Sequence, residues 1–257
     1  GEGIKAAIAI AWEWLVGFVK SSFTSIGRIE KGIKSLKAKL KQANGDSTAV
    51  GTDIIDNKIS KSLGHEGIKP PIDFSHIEKS HIAVNKVAEV SRKSLDLVAD
   101  WVKANSKKLD TPDAELLDDT SVLRETLDST KGLLPGGNDL SFSEKAGLVI
   151  NNNDRKPMAG TPTKVPTINE AIKSLEFAEE HVEQVKKVKG WFETEGEKIK
   201  KALMETDSET EGKEKAHAKT ANKIVVSFIS RTSKVYMSAA STYAAYASLA
   251  FYKEKGE

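Results

Sequence analysis

Residues 4–41 read IKAAIAIAWEWLVGFVKSSFTSIGRIEKGIKSLKAKLK, and the spacing of their apolar side chains settles the class of the fold. Ile4, Ile8, Trp12, Leu15, Val19 and Phe23 lead into Ile26, Ile29, Ile33, Leu36 and Leu40. Steps of three and four residues make one stripe on a helix, whereas a strand would alternate. The second half keeps a 3-4-3-4 rhythm, that of a helix buried against a partner helix. At ~1.5 Å per residue the helix would be about 57 Å long. Asn44-Gly45-Asp46 ends it.

Outward from this helix the pattern repeats. Residues 52–63 read as a short helix closed by Gly64, and Lys69-Pro70-Pro71 breaks the chain before a second long helix opens at Ser75. Ile77, Val84, Val87, Leu95, Val98 and Trp101 share a face of that helix. Thr111 as N-cap with Pro112 at the first helical position predicts an acidic helix to about residue 131. Leu140-Ser141-Phe142 and Leu148-Val149-Ile150 then predict a small hairpin, and residues 151–166 an irregular connection. Thr167-Ile168-Asn169-Glu170 has capping-box spacing and starts a fourth helix. A last, Ala-rich helix occupies residues 216–253. The expectation is a mainly α protein: an elongated bundle of about five helices with a small hairpin or irregular insert near the centre. Three regions follow, at 1–131 (helical), 132–166 (the insert) and 167–257 (two helices packing back on the first region).

Composition narrows the function. The chain has 257 residues, 39% hydrophobic and 30% charged, enough for a core with wide solvated faces. Cys is absent, which excludes disulfides, thiolate metal sites and a Cys nucleophile. The net charge of +2 favours no strongly anionic partner overall, but it is unevenly spread. Residues 1–43 carry eight Lys or Arg against three acids, residues 109–145 three against nine, and residues 219–257 six against two. The apolar run at residues 6–19 contains Glu13 and is shorter than the ~20 residues of a spanning helix.

Motifs of chemistry are missing from the sequence. His76 and His81 are five apart, not the i, i+4 spacing of paired ligands, and His65, His181 and His217 are scattered. Asp118-Asp119 and Glu179-Glu180 are neighbours, about 100° apart on a helix, and read as solvated faces. No cofactor, metal or small-molecule substrate is implied, and the expectation is a protein that is not an enzyme. Two features stand out instead. Lys31, Lys34, Lys37, Lys39 and Lys41 are candidate weak contacts to phosphate or another anion. Trp12, Trp14, Phe18 and Phe23 are candidate interface or membrane aromatics: Trp12 and Trp14 lie about 200° apart on a helix, so one neighbour cannot bury both. Burial by two neighbours within the bundle is the default expectation for them.

The order of these features resembles the internal head proteins of large tailed bacteriophages. It runs from a Trp-containing amphipathic helix into a Lys-rich segment (Trp12 to Lys41), then a helical middle ending in Leu134-Pro135-Gly136-Gly137. Gly147-Leu148-Val149-Ile150, a long charged helix and an Ala/Ser/Tyr-rich terminal helix from Tyr236 to Tyr252 complete it. The resemblance implies a non-enzymatic virion protein packed in the phage head with the DNA and delivered with it to the host cytoplasm. Its partners would be capsid or other virion proteins, with weak non-specific DNA contact. Such proteins are trimmed after Glu by a prohead protease, so that Gly1 and Glu257 read as processed termini. The alternative is a membrane-active helical protein, a pore former or translocator, using the Trp-rich first helix and the Ala-rich last one.

Overall fold

A computed structural model describes residues 2–43, 53–55, 57–63, 69–105, 120–152, 161–205 and 213–252. Its frame is four long helices: α1 (Glu2–Gln42), α3 (Phe74–Asn105), α5 (Ile168–Met204) and α6 (Lys213–Ser248). Two short ones, α2 (Asn57–Leu63) and α4 (Ser121–Ser129), bring the described α-helices to six rather than five. A single 3₁₀ turn, Leu249–Phe251, continues α6.

The apolar stripe read from residues 4–41 does what its spacing demands. Ile8, Trp12, Leu15, Ile26, Ile33 and Leu40 are buried along α1. α5 and α6 form the central antiparallel pair, and α1 packs on both of them from one side, α3 from the other. Cross-links fix the directions. Lys37 reaches Glu179 while Glu30 reaches Lys186, so α1 runs antiparallel to α5; His81 meets His181 while Lys103 meets Glu195, so α3 runs parallel to it. α6 is the inner helix, and small side chains let three neighbours close on it: Ala221, Ala239, Ala240 and Ala247 have no exposed surface.

The expected capping box starts α5. The Glu170 N–H donates to Thr167 Oγ1 at 3.1 Å, and the Thr167 N–H donates to Glu170 Oε2 at 2.9 Å. The hairpin is also where the sequence places it: β2 (Asn138–Ser143) pairs antiparallel with β3 (Gly147–Asn152), Leu140 opposite Ile150. Gly147, at φ +74°, lies so close to α6 that a Cβ there would stand 2.1 Å from Ser227 Oγ. The Leu148 N–H donates to that same hydroxyl at 2.9 Å, pinning the hairpin to the bundle. Arg124 fastens α4 to the other face, donating to the Phe142 carbonyl at 2.9 Å with its guanidinium over the Phe142 ring.

Two segments differ from expectation. Residues 52–63 are not one helix: β1 (Asp53–Ile55) precedes α2 and pairs antiparallel with β4 (Pro162–Lys164), inside the segment expected to be irregular. Ile72 extends this sheet, its N–H donating to the Pro162 carbonyl and its carbonyl accepting from Lys164. The reason is burial. Ile54, Ile72 and Thr163 lose nearly all exposure only when the distant strands meet. Of the expected acidic helix, Ser121–Ser129 is seen, with Leu123 and Leu127 facing in. Thr111, Pro112, Gly64, Gly1 and Glu257 lie outside the described residues, and with them the proposed trimmed ends.

Candidate functional site

The candidate residues of α1 fall into two zones of one helix. In the first zone Trp12 is buried, its indole stacked on Phe192 of α5 at 5.6 Å and lying over Gly196. Its neighbour two positions on is not: Trp14 is 51% exposed and stacks on Phe18, one turn later. Phe23 is also exposed, with Lys189 Nζ 3.7 Å above its ring. Burial of all four aromatics in the bundle is therefore corrected, because α5 and α6 cover one arc of α1 and Trp14 points away from it. Gly3, Ala6, Ala7, Ile10, Trp14 and Gly17 recur at helical spacing on the solvent side, and Ile10 is 66% exposed. Trp12 and Phe23 both meet α5, Trp12 through Phe192 and Phe23 through Lys189.

Length tells a second story about α1. By length and composition the helix is apolar enough over Lys5–Gln42 to cross a membrane, and 28% of its most apolar stretch is buried inside the protein. Counting only an unbroken apolar run misses this, since Glu13 and Lys20 interrupt the run but leave the mean hydropathy high.

The second zone is cationic. Lys31, Lys34, Lys39 and Lys41 are exposed, as is Arg28 on the same outer side. Lys34 makes an intrahelical pair with Glu30 at 3.7 Å. Lys37 stands apart from the other four: it sits at the edge of the packed face and donates to both carboxylate oxygens of Glu179, at 3.0 and 3.2 Å. Nearby Glu30 is held below the usual carboxylate range, chiefly by its hydrogen bond from Lys186.

The sequence did not point to the third feature, a polar ring between α3 and α5 made of two buried imidazoles and two half-buried amides. The Gln184 amide N–H donates to Asn85 Oδ1 at 2.8 Å, and Asn85 Nδ2 donates to His81 Nε2 at 3.2 Å. His81 Nδ1 donates to His181 Nε2 at 3.0 Å, and His181 Nδ1 donates to Gln184 Oε1 at 2.7 Å, which closes the circuit. Every member gives one hydrogen bond and takes one. His81 also stacks on Phe177 at 3.8 Å, while Tyr243 of α6 bonds Ser80 at 2.7 Å beside it. Burial holds His181 well below the ordinary imidazole value, at about 4, and lowers His81 as well, against the pull of Glu180. Among the described residues, no three His, Asp or Glu side chains gather as metal ligands.

With that geometry in place, comparison with known families is decisive. A sequence model of the phiKZ-like phage internal head proteins matches residues 1–249. The chain belongs to that family. No curated protein and no solved structure matches it. As an internal head protein it resides inside the phage head, among the components of the virion. The bundle, the hairpin and the Lys-bearing first helix are thus the architecture of an internal head protein. The sequence signal that could have found the polar ring was slight: His81 and Asn85 are i, i+4 on one helix, and His181 and Gln184 are i, i+3 on another.

Proposed function

We propose that this internal head protein is a non-enzymatic structural component that packs with the DNA through weak, sequence-independent contacts. The observation that carries this reading is the exposed cationic zone of α1. Arg28, Lys31, Lys39 and Lys41 have no ion-pair partner among the described residues, and Lys34 is only lightly engaged. Charges spread along the outer side of one helix neutralise phosphates, and phosphate contacts carry no sequence information, which is read from base edges in the grooves. A patch engaging about four phosphates gives a salt slope of roughly −3 to −4 and loses about a hundredfold in affinity between ~50 and ~200 mM salt. Replacing Lys31, Lys34, Lys39 and Lys41 together with Gln should abolish binding to a duplex of any sequence. Lys37→Gln should leave the slope unchanged, because Glu179 already holds that ammonium. Anisotropy titrations of labelled duplex at several salt concentrations check this. Tight, salt-insensitive or sequence-selective binding would count against it.

A second reading, contact with a membrane during delivery to the host cytoplasm, is favoured by one observation: the uncovered Ile10 and Trp14 on the outer face of α1. A lipid interface would take up such side chains while the lysines meet anionic headgroups. Binding to phosphatidylglycerol vesicles, with a blue shift of tryptophan emission that Trp14→Ser removes, would support it. Equal behaviour with and without vesicles would dismiss it.

A further inference from the structure

The circuit of Gln184, Asn85, His81 and His181 holds four protons in four links, each used once. This arrangement has a consequence that does not depend on any single distance. A fifth proton has no acceptor inside the ring. Placed on His181 Nε2, it meets the N–H of His81; placed on His81 Nε2, it meets the amide N–H of Asn85. Turning over the amide of Asn85, or of Gln184 after it, only passes the clash to the next link.

One acceptor stands just outside. Glu180 Oε2 is 3.3 Å from His81 Nε2, on an exposed carboxylate. We propose that this ring is a proton-operated latch between α3 and α5, shut while both imidazoles are neutral and opened in mild acid when His81 Nε2 exchanges Asn85 for Glu180. Opening leaves the Asn85 amide with an unmatched donor at the helix interface, which loosens α3 from the α5–α6 pair.

The groups facing the pair support the assignment. From α3 they are Asn85 and Ser80; from α5, Gln184, Glu180 and the Phe177 ring; from α6, the Tyr243 hydroxyl, which bonds Ser80 and is kept neutral by burial. Among these described residues Glu180 alone carries charge, so it selects which imidazole is protonated first. His181, with no exposed surface and a second imidazole against its Nε2, follows at lower pH.

The test uses the full chain with ¹⁵N-labelled histidine. At pH 7.5 both rings should show the Nδ1–H tautomer, and His81 should protonate before His181, with a midpoint below the ordinary imidazole value. Hydrogen-exchange protection of α3 should fall about tenfold or more as His81 titrates, while protection along the α1–α5 contact holds. Glu180→Gln should move the His81 midpoint to lower pH. Asn85→Asp supplies an acceptor for the fifth proton and should move it to higher pH. An Nε2–H tautomer in either ring, α3 protection that does not change as His81 titrates, or a midpoint unmoved in both variants would overturn the proposal. The tautomer and the wild-type titration decide the question even if a variant fails to fold.

Discussion

Two glycines of α5, six residues apart, have opposite work to do. At Gly190 nothing lies within 4 Å of where a Cβ would stand. At Gly196 that Cβ would meet Phe192 at 3.1 Å and the indole of Trp12 at 3.2 Å, because the Trp12–Phe192 stack rests on the bare backbone there. Glycine inside a helix costs roughly 0.5–1 kcal/mol relative to alanine, mostly through the freedom it gives the unfolded chain. Gly190→Ala should therefore stabilise the protein by about that amount. Gly196→Leu should destabilise it by about 1–3 kcal/mol, since the indole has no room to move away from the added side chain. Urea unfolding of the two variants, measured beside the parent, checks both signs at once.

At the scale of elements, the contact between α3 and α5 carries a pH dependence whose sign is fixed. His181 sits at about 4 in the fold against 6.5 when exposed, so the unfolded chain binds its proton first. Stability from the neutral ring is full above pH 6.5 and drains away as pH falls toward 4, by about 3 kcal/mol in all for a shift of this size. Denaturation midpoints measured from pH 7.5 down to 4.5 should fall steadily, and His181→Phe should flatten that fall. Helical elements of this kind were legible in advance because their signals are local. The stripe from Ile8 to Leu40 and the box of Thr167 with Glu170 are each contained in one window of sequence. β1 was not legible, because Ile54 becomes a strand residue only by pairing with Thr163, over a hundred positions away. The His81–His181 ring was hidden for the same reason: half of it lies on α3, half on α5, and neither half is a motif by itself. Trp14 fell between the two cases. Its angle to Trp12 showed that one neighbour could not cover both, yet only the placement of α5 and α6 decides which of them is left in water.

The whole molecule is organised around α6, which touches α1, α2, α3, α5 and the hairpin. Among the described residues no other helix meets so many partners, and the side chains at its crossings explain how. Ala239, Ala240 and Ala247 have no exposed surface, and Tyr243 anchors between α3 and α5, its hydroxyl bonded to Ser80 and its carbonyl accepting from Ser174. Small residues at an inner helix permit close approach, but they also leave no slack, since interiors are packed as densely as organic crystals. An enlarged side chain at Ala240 cannot be relieved by one helix moving off, because each neighbour of α6 is braced against another. Ala244, by contrast, is half-buried near the rim. Ala240→Leu should therefore cost about 1–3 kcal/mol through overpacking, and Ala244→Leu distinctly less. If α6 is the hub, the loss at Ala240 should appear as a lower midpoint of one shared transition, with helical circular dichroism and tryptophan fluorescence falling together. Separate transitions, with the Trp12 environment on α1 surviving after the rest has melted, would mean that α1 and α5 hold together without α6 at their centre.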